Sequence, residues 1–317
     1  MLRRRVVVIF ASLGFFLLGG RGVHTIGSTR LQVKPDAQPL AGRILREKRG
    51  EPLDLELRGD LEGLPRGSVR YVSREDLKAL PQVSYTVTDD ANFGGAVQIR
   101  GVELEFLARE FAGGGEKALI VAVCGDLYRG HYSQEYVQAH RPVLALEING
   151  EPPAGWPKSK EGTGSGMGPY LISHPHFTPS FKILGNDEQA QIPWGVVRLE
   201  FRNEDAIFGE IAARGEHARG LEVQAGYRIA RENCLRCHGP ESYGRLKGQI
   251  TWSGIAFFAD ASPPQFSAYV RNPRGVAQYA QMPGNPEYDD ATVEALNSYF
   301  RTFLVKGLVK DIAKGKP

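Results

Sequence analysis

The sequence predicts a multidomain chain: a β-rich mixed α/β body followed by an all-α region. Three observations carry this. The chain has 317 residues, more than one compact domain usually needs. From about 51 to 202 the apolar residues fall in short alternating or β-branched runs, cut by turn residues. From about 204 the spacing changes to the i, i+4, i+8 repeat of helices. Hydrophobic content of 42% and charged content of 24% are those of a globular protein. A net charge of +3 gives no reason to expect a nucleic-acid partner. Three cysteines are too few for a disulfide scaffold.

The first residues have their own pattern. "MLRRR" is basic, Val6 to Gly20 is uncharged and apolar, and polar sequence follows from Arg21. That is the layout of a secretory signal, shorter than the ~20 residues of a membrane span. Residues 1–25 are expected to be a signal cleaved near Gly19 to Thr25, or an uncleaved anchor. Either places the body outside the cytoplasm, with a possible membrane tether. Residues 26–44 read as a tether, 45–203 as the first domain, 204–218 as a linker and 219–317 as the second domain.

Within the first domain "LDLEL" (53–57) alternates as a half-buried strand. "SREDLKAL" (73–80) reads as a helix capped by Ser73 and stopped by Pro81. "VSYTVTD" (83–89) is a strand, and "AVQIRGVELEFLAREFAGGG" (96–115) a strand, a glycine turn and a helix. "ALIVAVC" (118–124) is continuously apolar, a strand covered on both faces. "PVLALEING" (142–150), "GPYLISHP" (168–175) and "WGVVRLEF" (194–201) are further strands, the first entering an Asn-Gly turn. Residues 151–167 read as a long loop. In the second domain Leu221, Ala225 and Ile229 form one helical stripe. "SPPQFSAYVRNP" opens on a Ser262 cap with Pro263 first in the helix. Asp caps precede a helix whose face is Val293, Leu296, Phe300, Phe303 and Leu304.

The strongest motif is "RENCLRCHGPE" (231–241). Cys234, Cys237 and His238 make C-x-x-C-H. Two thiols three residues apart at a helix end can both form thioethers to one porphyrin, and the next histidine falls under the iron. A zinc site would need a second ligand pair. A thioredoxin-like pair would open a helix after a strand, whereas this motif ends one. One covalent haem c is expected, with Cys234 and Cys237 binding it and His238 an axial iron ligand. Of the three methionines, Met282 sits in the turn-rich "YAQMPGNPEYDD" and is the expected sixth ligand. Such ligation leaves no open iron position, so electron transfer is the default role.

Residues about 220–305 resemble a class I cytochrome c domain, through "GYRIARENCLRCHG", "KGQITW", "FSAYVRNP", "MPGNP" and "LNSYFRTF". The resemblance implies a small all-α fold around one haem, with Gly226 and Tyr227 packed on Tyr299 or Phe300. It departs where the family places a proline whose carbonyl accepts the imidazole N–H; Gln249 and Ile250 stand there. Residues about 45–202 resemble the sulfite-oxidase-type molybdopterin-binding domain, through "DLKALP", "GVEL", a D-x-Y turn, "LALEINGEP" and a final strand with "WGV". The family's molybdenum-binding cysteine is missing: Asp89, Asp90, Ala91, Asn92, Phe93 and Gly94 fill its place. Cys124, ending an apolar run, reads as structural. The domain is expected to keep the fold without molybdopterin.

His131, His140, His174 and His176, with Arg129, Arg141, Lys158 and Lys160, could serve a metal or anionic ligand, or be ordinary polar residues. Three functions remain. An exported cytochrome relays single electrons between redox partner proteins, its first domain used for docking or ligand binding. A molybdenum oxidoreductase has a fused cytochrome acceptor. A haem-containing module senses a ligand. The missing thiolate favours the first and makes the chain more a carrier than an enzyme.

Overall fold

The computed structural model describes residues 42 and 44–304, apart from 89, 114, 116, 159–165 and 176–189. The expected signal over 1–25, nearly all of the tether, Asp89, Lys160 and His176 lie outside the described residues.

The chain builds one sheet from β1 (Leu55–Gly59), β2 (Ser68–Val72), β3 (Val83–Val87), β4 (Val97–Glu103), β5 (Ala118–Cys124), β6 (Arg129–Ser133), β7 (Val143–Ile148), β8 (Tyr170–Ser173) and β9 (Trp194–Asn203). The order along its main path is β2-β1-β9-β8-β7-β4-β3, and β5 joins β9 with β6 on its far side. β9 is the hub. It pairs in parallel with β1, Leu57 opposite Leu199, and antiparallel with β5 and β8. Among the described residues three α-helices lie between the strands: α1 (Arg74–Lys78), α2 (Leu104–Ala112) and α3 (Gln134–His140). Ser73 caps α1 by accepting from the Asp76 N–H at 3.1 Å, as its position before the helix demands. The expected glycine turn at Gly101 is instead a register shift inside β4, which runs unbroken to Glu103. Asn149 and Gly150 have φ of 55° and 80°, and the Asn149 side chain accepts from Gln98 N–H at 2.8 Å, closing the predicted turn after β7. β2 and β6 carry no clear alternation and were not expected.

After β9 come α4 (Glu204–Phe208), α5 (Leu221–Ile229), α6 (Trp252–Ala261), α7 (Pro263–Arg271), α8 (Pro273–Val276) and α9 (Asp290–Arg301). Asp289 caps α9, accepting from the Thr292 N–H at 2.8 Å. Pro263 is the first residue of α7, but the Ser262 hydroxyl bonds the Gln265 side chain rather than a helix N–H. The α5 stripe is also displaced: Val223, Gly226 and Ile229 are buried, whereas Leu221 is 91% exposed.

The expected second fold, an all-α class I cytochrome c domain, is contradicted. The described residues form one mixed α/β unit on a nine-stranded mixed sheet. β5 shows why. Its residues alternate between two cores. Ile120, Ala122 and Cys124 join Leu55, Leu57, Leu107, Phe111 and Leu199. Leu119, Val121 and Val123 face the other way, into a core with Ile207, Phe208, Ile211, Ile229, Trp252, Leu296 and Phe300. The C-terminal helices thus close their core against a sheet face. Ile207, Phe208 and Ile211, in the stretch expected to link two domains, are buried in it.

Candidate haem-attachment site

α5 runs into a π-turn, Ala230–Cys234, where the Leu235 N–H reaches back to the Ala230 carbonyl at 3.0 Å. Leu235 is buried and anchors the loop in the second core. The Cys234 carbonyl then accepts from both Cys237 N–H (3.1 Å) and His238 N–H (2.9 Å). One turn therefore brings Cys234, Cys237 and His238 together.

A second strip of chain braces the motif. Gly248 N–H donates to the Cys237 carbonyl and Trp252 N–H to the Gly239 carbonyl, each at 2.8 Å. His238 Nδ1 lies 2.7 Å from the Ile250 carbonyl. A carbonyl only accepts, so Nδ1 carries the proton and Nε2 presents its lone pair. Burial lowers the imidazole pKa and keeps the ring neutral, the form that binds a metal. The partner that the missing proline left open is thus supplied by Ile250. Gly248 is a close-approach glycine: a Cβ there would lie 2.3 Å from Cε1 and 2.4 Å from Nδ1 of His238.

Both thiols are free. Burial, with the neighbouring Cys237, pushes the Cys234 thiol up to about 12, and burial also raises Cys237. They are neutral thiols near pH 7, unlike the low-pKa thiolates of a redox-active pair. Among the described residues no three His, Cys, Asp or Glu side chains converge as a metal ion would require.

Met282 is half-buried in the stretch between α8 and α9. That stretch is tied to α7 by Asn285, whose N–H and side-chain Nδ2 both donate to the Val270 carbonyl. It ends at Tyr288, buried and near enough to Cys234 for a thiolate there to raise its hydroxyl pKa further, after burial. α9 crosses α5 at Gly226, where a Cβ would lie 1.9 Å from the Ala295 carbonyl oxygen. The Tyr227 and Tyr299 rings are 5.8 Å apart, and Trp252 Nε1 donates to the Tyr299 hydroxyl at 3.1 Å.

The sheet touches the motif directly, which no local sequence signal announced. Arg129, the first residue of β6, donates its N–H to the Arg236 carbonyl at 2.9 Å. Its guanidinium donates to the Arg245 carbonyl at 2.7 Å and lies over the Tyr243 ring. His131 Nε2 and the Tyr243 hydroxyl share a hydrogen bond at 2.7 Å. Burial, with Arg129, Arg236 and Arg231 nearby, lowers the His131 pKa to about 3. Lys247 pairs with Asp126 at 2.6 Å across the same seam.

Of the other candidate groups, Cys124 lies close enough to Cys237 to interact with it electrostatically, and none of the others makes a direct hydrogen bond to Cys234, Cys237 or His238 among the described residues. His174 is buried with its Nε2 on the Tyr136 hydroxyl at 3.1 Å, and burial lowers its pKa to about 3. The His140 ring lies 4.8 Å from the Tyr136 ring, Arg141 pairs with Glu103 at 2.6 Å, and Lys158 is exposed. Cys124 is buried where β5 ends. Asp90 is 3% exposed, its Oδ1 accepts from the Asn92 N–H at 2.8 Å, and burial raises its pKa to about 6. Compared with protein-family models and with curated proteins, the chain matches none.

Proposed function

We propose that the chain is an exported mono-haem c-type cytochrome that relays single electrons between redox partner proteins. Cys234 and Cys237 hold one haem c covalently, and His238 and Met282 bind its iron. When bound, the haem supplies a centre that gains and loses one electron at a time. The observation that carries the reading is His238: a neutral imidazole oriented through Nδ1–H on a backbone carbonyl, beside two free cysteines on the same turn. Gly248 leaves room for the ring and Ile250 fixes its tautomer. Met282 supplies a soft thioether on a half-buried loop. The sheet serves as the body against which this loop is built, and as a surface for docking or ligand binding.

Molybdenum does not suit the donors of residues 83–105, where the resemblance places its ligand and no cysteine stands, and Cys124 is a buried thiol that burial holds protonated. The buried carboxyl of Asp90 lies in the stretch where a soft thiolate would be needed.

The test is haem staining after denaturing electrophoresis of the protein prepared from the periplasm, with a visible spectrum. Wild type should stain and show a c-type spectrum. Cys234→Ala and Cys237→Ala should lose most of the stain. Met282→Ala should keep the stain and lose the weak thioether-to-iron band. A wild type without stain, or cysteine variants with undiminished stain, sinks the reading.

A further inference from the structure

Arg236 lies between the two cysteines of the motif. Its Nε donates to the Glu232 carbonyl at 2.6 Å and its Nη1 to the Tyr128 hydroxyl at 3.2 Å, while its Nη2 is buried without a partner. Arg129 is 3% exposed. It donates to the carbonyls of Leu127 and Arg245, rests on the Tyr243 ring, and buries its Nε without a partner. Among the described residues neither guanidinium has a carboxylate within ion-pair distance. Their neighbours differ: Arg231 pairs with Glu232 at 3.0 Å and Lys247 with Asp126 at 2.6 Å.

Burial costs both cations solvation, a cost that the Glu232 carboxylate helps to outweigh for half-buried Arg236 and that Glu200 offsets only in part for buried Arg129, neither carboxylate lying within ion-pair distance. A guanidinium cannot escape that cost by losing its proton. Charges held at such a cost act on whatever changes charge beside them, and little solvent screens them. Both are set by the sheet: Tyr128 precedes β6, and the Arg129 N–H holds the Arg236 carbonyl at 2.9 Å.

We infer that Arg129 and Arg236 raise the reduction potential of the haem held at Cys234 and Cys237, and that the sheet is the part of the fold that fixes them there. The inference rests on the haem reading above. Reduction lowers the charge of the haem centre by one, so fixed cations favour the reduced form. The sheet thereby ties the driving force for electron transfer to its own folding.

The test is redox titration of the full, haem-loaded chain, followed through its visible bands. Arg236→Gln and Arg129→Gln should each make the midpoint more negative, and the double variant more so. Arg236→Lys, which keeps the charge, should stay close to wild type. These shifts should persist in high salt. Lys247→Gln, which removes an exposed and already paired cation, should give a smaller shift that salt removes. A normal haem stain with unmoved midpoints in both glutamine variants overturns the inference and leaves the haem reading standing. A wild type without covalent haem overturns both. Arg129 lies outside the C-x-x-C loop, so Arg129→Gln reads the effect even where Arg236→Gln impairs attachment.

Discussion

Asp90 shows how one residue records its environment. Its carboxyl is 3% exposed and meets one backbone N–H, so burial dominates and raises its pKa from 3.8 to about 6. The sign follows from proton counts. Between these values the native state holds more protons than the unfolded chain, so stability falls as pH rises from about 4 to about 6. Asp90→Asn keeps the acceptor and removes the ionisation. It should match wild type near pH 4 and gain up to about 3 kcal/mol at pH 7, measured as the difference in urea unfolding free energy at the two pH values. An equal effect at both pH values would refute the assignment. His238 carries the opposite lesson: its one backbone hydrogen bond selects the tautomer, and with it the nitrogen left for a ligand.

At the scale of elements, the crossing of α5 and α9 is the joint on which the motif depends, because the π-turn and the cysteines continue directly from α5. The approach is set by a missing side chain. Gly226→Ala would drive a methyl group to 1.9 Å from the Ala295 carbonyl oxygen, and a backbone atom cannot swing aside as a side chain can. The helices must separate, at a cost of about 1–3 kcal/mol. A lowered denaturation midpoint with an unchanged m-value is the expected result, and an unchanged midpoint would contradict this packing. The stripe expected on α5 misplaced Leu221, because the helix begins there and its first residue projects beyond the neighbouring elements.

For the whole molecule, the decisive fact is that β5 has a core on each face. The sheet and the C-terminal helices then unfold together, since neither can expose the shared core alone. Leu119→Ala, on the helix-facing side, should cost about 2–5 kcal/mol. It should shift the far-ultraviolet and visible transitions by the same amount. Two separated transitions would show independent domains. A fragment starting at residue 219 lacks Leu119, Val121, Val123, Ile207, Phe208 and Ile211, all buried in that core.

Local chemistry was legible in the sequence: the C-x-x-C-H motif, the caps at Ser73 and Asp289, the Asn-Gly turn and most strands. Each depends on residues a few positions apart, where propensity and hydrogen bonding act directly. Even the hydrophobic run of β5 announced a strand covered on both faces. What covered it was not legible, because any apolar surface satisfies a hydrophobic face and sequence spacing does not say which. Only the tertiary structure decided that the helices lie on β5 rather than closing on themselves. Only it brought Arg129 and Tyr128 to the carbonyl and guanidinium of Arg236, more than a hundred residues away. Such long-range contacts are chosen by the packing of the whole chain.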